Sequence, residues 1–292
     1  MDGGVVTAQI IDGMALAHKL RRGLKQRAER LAAGGMRPGL AVILVGADPA
    51  SQVYVRNKMR ACDECGVRSE RHALPTDTSE ATVLELIARL NRDPAVHGIL
   101  VQLPLPAHVD MRRVLEAIDV DKDVDGFHLY NVGALVVGGA IFPPCTPYGV
   151  QLLLESTGIE VAGKNAVVVG ASNIVGKPMA IMLLNKEATI SLCHIRTREL
   201  AQYTILADIL VVAAGKPGLI VPQMVKRGAV VIDVGINHLP DGRLVGDVDF
   251  EGVKEKASWI TPVPGGVGPM TVTMLIENTL RSAERAQGVA AG

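Results

Sequence analysis

The sequence predicts an α/β protein of two domains, each built on a parallel sheet covered by helices. Three observations carry that prediction. The chain has 292 residues, more than one hydrophobic core usually serves. Apolar runs of strand length alternate with helix-length segments along most of the chain. The string Pro143-Pro-Cys-Thr-Pro-Tyr-Gly149 interrupts that alternation near the middle, as a domain boundary would. The expected domains are 1–146 together with 270–292, and 147–269, with a cleft between them.

In the first half, a helix over 13–33 precedes an apolar strand at 40–46 that ends in a glycine turn. Asp48 then offers a helix cap and Pro49 suits the first helical position. On that helix Tyr54 and Lys58 are four residues apart, so they project from one face, with Ser51 a turn earlier. A short strand at 67–74, a helix over 78–91 and a strand at 98–103 follow. Val83, Leu84, Ile87, Ala88 and Leu90 give that second helix its apolar stripe. In the second half the strands are 166–170, 189–194, 209–213 and 229–235, and a last helix covers 270–287.

Lys plus Arg number 30 and Asp plus Glu number 30, a balance that argues against nucleic acid or an anionic membrane as the main partner. With 3% aromatic residues, base-stacking platforms are also disfavoured. The first residues lack the basic and apolar pattern of a signal peptide, and no apolar run is long enough to cross a bilayer. A cytoplasmic location is expected. Cys62-Asp-Glu-Cys65 has the spacing of a zinc or redox pair. No second close Cys/His pair completes a zinc site, so both cysteines read as helix residues.

Asn165-Ala-Val-Val-Val-Gly170-Ala-Ser-Asn-Ile-Val-Gly176 reads as strand, glycine turn and helix start, which presents N–H groups to a pyrophosphate. The second domain is therefore expected to be a Rossmann-like doubly wound sheet. The motif departs from G-x-G-x-x-G, because Ser172 stands where the second glycine would be. The next strand ends in Cys193-His-Ile-Arg196, without the acid that reads an NAD ribose. Arg196 can pair with a 2′-phosphate instead, which favours NADP. Two further strands end in Gly215 and Gly235, where a ligand can approach the backbone closely.

Asp121-Lys-Asp-Val-Asp125-Gly resembles the start of a calcium loop, but the twelfth position is Val132 rather than a glutamate, so calcium is rejected. Gly98-Ile-Leu-Val-Gln102-Leu-Pro-Leu-Pro106 ends a strand with an amide and two prolines. A further string, Pro262-Val-Pro-Gly-Gly-Val-Gly-Pro-Met-Thr271, opens the last helix.

Taken with Tyr54-Val-x-x-Lys58 and the Gly170 turn, these strings closely resemble the bifunctional methylenetetrahydrofolate dehydrogenase/methenyltetrahydrofolate cyclohydrolase family, from about residue 11 to the last helix. The resemblance implies NADP-dependent oxidation of 5,10-methylenetetrahydrofolate and hydrolysis of the product to 10-formyltetrahydrofolate, within one-carbon metabolism and purine biosynthesis. It makes Lys58 the proton-transfer residue of the hydrolysis, with Gln102 orienting it. A lysine acts as a base at neutral pH only if burial or a cationic neighbour lowers its pKa. Tyr54 becomes a wall of the folate site with its hydroxyl near the reaction, and Asp125 the partner of the pterin edge. Pro264, Gly265 and Gly266 match a loop beside the folate. Gly170, Ala171, Ser172 and Ile236 match NADP contacts. The family often has a small hydroxyl residue where this chain has Ile195, which cannot hydrogen-bond, so the 2′-phosphate falls to Arg196. A homodimer through the cofactor domains is also implied. The alternatives are a monofunctional dehydrogenase, an NADP oxidoreductase of shikimate-dehydrogenase type, and a nucleotide-binding regulatory protein.

Overall fold

Most of the longer strands follow the apolar runs, with Arg68-Ser-Glu-Arg-His-Ala-Leu74 a polar edge strand. In the computed structural model, which describes residues 7–288, the elements in chain order begin with β1 (Gln9–Ile10), α1 (Gly13–Ala33), β2 (Gly39–Val45), α2 (Pro49–Glu64), β3 (Arg68–Leu74), α3 (Glu80–Arg92) and β4 (Gly98–Val101). Next come α4 (Met111–Glu116), α5 (Leu129–Val136), α6 (Cys145–Ser156), β5 (Asn165–Val169), α7 (Gly176–Leu184), β6 (Thr189–Cys193) and α8 (Leu200–Thr204). The last are β7 (Ile209–Val212), β8 (Val230–Asp233), β9 (Asn237–His238), β10 (Leu244–Val245), α9 (Phe250–Lys254), β11 (Trp259–Ile260) and α10 (Val267–Ala286).

The described residues divide into two compact units. One spans His18–Cys145 and the chain from Val272 onward; the other takes the residues up to Ala17 and Thr146–Thr271.

The first unit holds a three-stranded parallel sheet in the order β3-β2-β4. All seven residues of β2 are buried, as expected of a central strand covered on both faces. Ser79 caps α3 by accepting the Thr82 N–H at 3.2 Å, and Val83, Leu86, Ile87 and Leu90 turn its apolar stripe inward. They pack against Ala41, Ile43, Val45, Ile99 and Val101, each large side chain contributing about 1.5–3 kcal/mol by leaving water. The later part of α10 fastens this unit from its own sequence-distant end. Asn278 Nδ2 donates to the carbonyls of Val124 at 2.8 Å and Pro143 at 3.0 Å. Arg27 of α1 donates to Glu284 at 3.0 and 2.8 Å and to Glu277 at 2.5 Å.

The second unit holds a six-stranded sheet, order β1-β11-β8-β7-β5-β6, parallel throughout. Strand order reverses between β5 and β7, which places a ligand crevice beyond their carboxyl ends. Val167, Val169, Leu210, Val212, Val231 and Ile260 form the core of one face. The neighbouring Ala166, Val168, Ile209, Val211 and Ile232 are buried as well, so both faces are covered.

Two features differ from the sequence-based expectation. Residues up to Ala17 join the second unit, although 1–146 is expected to be one domain. The reason is β1, which adds an edge to the large sheet: Gln9 N donates to Ser258 O and Ile11 N to Ile260 O. A two-residue strand has no periodicity to read. The last helix also begins at Val267 rather than near 270.

Candidate active site

Lys58 owes its position to an accurately started helix. Asp48 accepts the Ser51 N–H at 2.7 Å, and Pro49 follows it. Ten residues after that cap, Lys58 Nζ donates to Gln102 Oε1 at 3.1 Å. Gln102 sits just past β4, where its N–H donates to Ile43 O at 2.8 Å and its Nε2 to Leu103 O at 2.7 Å. That second bond fixes which end of the amide faces Lys58, because only the oxygen remains to accept. Tyr54 is half-buried on the same face of α2, and burial pushes its hydroxyl above the usual phenol value.

The acidic run 121–125 is split into three separate environments. Asp121 is exposed and pairs with Arg285 at 3.2 Å. Asp123 is buried, accepting the N–H groups of Phe127 at 3.1 Å and His128 at 2.8 Å and the Asn131 amide at 2.8 Å. It holds the turn that leads into α5. Asp125 lies near Lys58 and Cys145; burial raises its carboxyl above the usual range, with the Lys58 charge and the Cys145 thiol acting the other way. Cys145 is 2% exposed and donates to Val124 O at 3.2 Å. Burial first and the Asp125 charge second push its thiol well up, which makes it a neutral packing group rather than a nucleophile. Cys62 and Cys65 are free and buried, with the Cys62 thiol pushed up to about 12.

Pro264, Gly265 and Gly266 belong to the other unit. Gly265 has φ +106°, and its carbonyl accepts the Met14 N–H at 2.9 Å. A side chain on Gly266 would press on Pro262 O at 2.6 Å and Thr261 Cβ at 2.8 Å.

At the end of β5, Gly170 has φ +110°, and any Cβ there would overlap the Ala213 carbonyl. A Cβ on Gly176 would overlap the Gly170 carbonyl. Gly176 is thus the glycine that lets α7 start hard against its strand. Ser172 Oγ accepts from the N–H groups of Val175 at 3.1 Å and Gly176 at 3.3 Å, which leaves its own O–H to donate outward. Among the described residues, the N–H groups of 171–174 meet no acceptor in the chain. Unpaired amides, an outward hydroxyl and a helix start fit the pyrophosphate of a dinucleotide. At the next strand end, Ile195 is 99% exposed and Arg196 is exposed too, and no ion pair is found for Arg196 among the described residues.

Gly215, at φ +65°, has open space where a side chain would go. Gly235 has a reason within the chain itself to be glycine. A Cβ there would overlap the carboxylate of Asp247, a residue the sequence reading overlooked together with Asp233. Ile236, next in the chain, is 39% exposed.

Residues 11–125 match the family model of the tetrahydrofolate dehydrogenase/cyclohydrolase catalytic domain. Residues 144–287 match that family's NAD(P)-binding domain. The chain belongs to the tetrahydrofolate dehydrogenase/cyclohydrolase family. Among its relatives, the bifunctional protein FolD of Nitrosospira multiformis is 61% identical over 96% of this chain and 98% of its own length. The corresponding protein of Moorella thermoacetica is 60% identical over 95% and 99%. The crystal structure of the Campylobacter jejuni FolD enzyme superposes with TM-score 0.93 at 53% identity, covering 95% of this chain and 99% of that one. A Trypanosoma brucei FolD structure, complexed with NADP cofactor and inhibitor, gives TM-score 0.93 at 40% identity, covering 98% and 99%. A shikimate dehydrogenase from Aquifex aeolicus, 17% identical with TM-score 0.50, shares only the fold.

Proposed function

We propose that the chain oxidises 5,10-methylenetetrahydrofolate with NADP⁺ and hydrolyses the methenyl product to 10-formyltetrahydrofolate, with Lys58 moving the protons of the second step. The observation that carries the assignment of Lys58 is its hydrogen bond to the fixed oxygen of Gln102. That amide oxygen, locked by its own bond to Leu103 O, holds Nζ at one point of the site.

In the first reaction a hydride leaves the one-carbon bridge with its electron pair, and the two flanking nitrogens stabilise the resulting cation. NADP⁺, when bound, accepts that hydride. The step needs positioning more than a strong base. Tyr54 supplies a wall for the folate, and Asp125 accepts from the two N–H donors of the pterin edge. Pro264, Gly265 and Gly266 supply backbone beside the folate. In the second reaction water adds to the methenyl carbon and gives up a proton to Lys58. The C–N5 bond then breaks, N5 takes a proton, and the formyl group stays on N10. Gly170, Ala171, Ser172, Gly215 and Ile236 receive the dinucleotide. Ile195 covers its adenosine end without a hydrogen bond, and Arg196 pairs with the 2′-phosphate.

A homodimer through the second unit suits the exposure of β6, which is paired on one side only. Leu192 on that strand and Leu184 on α7, which packs against it, are exposed, an apolar edge of the kind that partners cover. The four free cysteines suit the reducing cytoplasm, and balanced charge suits a small-molecule enzyme rather than a nucleic-acid or membrane binder. A 10-formyl product suits the formyl-transfer steps of purine biosynthesis.

The test is spectroscopic. Methylenetetrahydrofolate plus NADP⁺ should give NADPH and a methenyl absorbance that decays as hydrolysis proceeds. No NADP-dependent methenyl signal would exclude the reading. A signal that persists would leave a monofunctional dehydrogenase.

A further inference from the structure

Three successive backbone N–H groups just beyond β7 converge on one side chain. Ala214 N and Gly215 N donate to Asp247 Oδ2 at 2.7 and 2.8 Å, and Lys216 N donates to Oδ1 at 2.8 Å. Asn237 Nδ2, from the segment after β8, donates to the same Oδ1 at 2.8 Å. Such a nest of amides at a strand end is an anion cradle. Here the chain fills it with its own carboxylate, fully buried.

Asp247 is itself pinned. Its N–H donates to Asp233 Oδ1 at 3.0 Å, Val248 N donates to Oδ2 at 2.9 Å, and Gly235 N donates to Oδ1 at 2.9 Å. Asp233 N in turn donates to Thr261 Oγ1 at 2.8 Å. No side chain fits at Gly235, beside the Asp247 carboxylate, or at Gly246, beside that of Asp233. One buried carboxylate thus ties the end of β7 to the end of β8.

Those two ends carry Gly215 and Ile236. We propose that Asp247 is a positioning residue for the dinucleotide, holding the Gly215 and Ile236 backbones in the arrangement that receives it. The proposal rests on the reading of those two residues as cofactor contacts. Asp247 touches neither substrate nor cofactor; it acts through the amides it holds. By occupying the nest, it also leaves the unpaired amides of 171–174 as the place for the pyrophosphate.

The test is Asp247→Asn in the full chain. The amide oxygen can serve only part of the donor set, and its NH₂ meets donors, so buried N–H groups lose their acceptor. NADP affinity, measured by calorimetry without folate, should fall about 10-fold or more, and the KM for NADP should rise with it. Hydrogen exchange at Ala214, Gly215 and Lys216 should speed up in the cofactor-free protein. Cyclohydrolase activity, which uses no NADP, should stay within about 2-fold. In a variant that keeps its fold, a parallel loss of both activities overturns the proposal, as does unchanged NADP affinity.

Ile236→Ala separates this idea from the one it rests on. If Ile236→Ala weakens NADP and Asp247→Asn does not, the positioning role fails alone. If neither does, the cofactor-contact reading fails. Should Asp247→Asn not fold, Asn237→Ala removes one of the four donors and keeps the three amides. A rise of about 2- to 5-fold in the NADP dissociation constant is then expected, and no rise overturns the proposal.

Discussion

Lys58 Nζ and Gln102 Oε1 lie 3.1 Å apart, joined across 44 residues of sequence by a hydrogen bond whose acceptor end is locked. The lock is the bond from Gln102 Nε2 to the carbonyl of the following residue, Leu103. A lysine that would otherwise swing through solvent is thereby held at one point.

Lys58→Met should lower cyclohydrolase activity about 10²-fold or more, the usual scale for losing a general acid–base, while hydride transfer remains measurable. Gln102→Leu, which keeps Lys58 but removes its acceptor, should lower the same step by a smaller factor. Full cyclohydrolase activity in the Lys58 variant would show that the role is misassigned.

Arg196→Ala should weaken NADP binding about 10-fold or more while leaving NAD nearly unchanged, since a charge-assisted bond to the 2′-phosphate is lost. Ile195→Ser should move preference the other way by adding a donor at a fully exposed position. Equal losses for both dinucleotides would return Arg196 to the role of a solvated charge.

Asp123 and Asp233 should each titrate at about 6, readable as ¹³C carboxyl shifts. Burial is the main cause in both, with hydrogen bonds from neighbouring N–H groups opposing it. Because both folded values lie above the unfolded one, the stability they contribute is complete below about pH 4 and lost as pH rises through about 6. The rise from the ordinary carboxylate value to about 6 corresponds to at most about 3 kcal/mol per group. Asp123→Asn and Asp233→Asn should each delete one of the two high titrations.

Arg27→Ala should cost about 2–3 kcal/mol in urea unfolding, because it leaves the half-buried Glu284 without its cation and Glu277 with only Arg281, at 3.5 Å. Arg27 is held strongly in its charged form by Glu284 first and Glu277 with it. A loss below about 0.5 kcal/mol would place the cluster among ordinary surface pairs.

Much of this protein is legible in its sequence because the signals are local. Helix α1 is readable from its stripe, α2 from the Asp48-Pro49 cap, and β2, β4, β5, β7 and β8 from runs apolar enough to be buried on both faces. Tyr54 and Lys58 share a face by helical spacing alone. Strand β1 and its partner β11 were not legible, since two residues carry no period, and only pairing with a neighbour makes them strands.

What the sequence by itself determined is the alternating α/β plan, the glycine turn at Gly170–Gly176 and the family strings. These follow from contacts among near neighbours in the chain. Only the tertiary structure decided which Asp of 121, 123 and 125 meets Lys58, because one is solvated, one caps a turn and one lies beside the lysine. It also decided why Gly235 is a glycine. The answer is a carboxylate twelve residues on, and a carboxylate's partners are chosen by the packing of strands that no local pattern brings together.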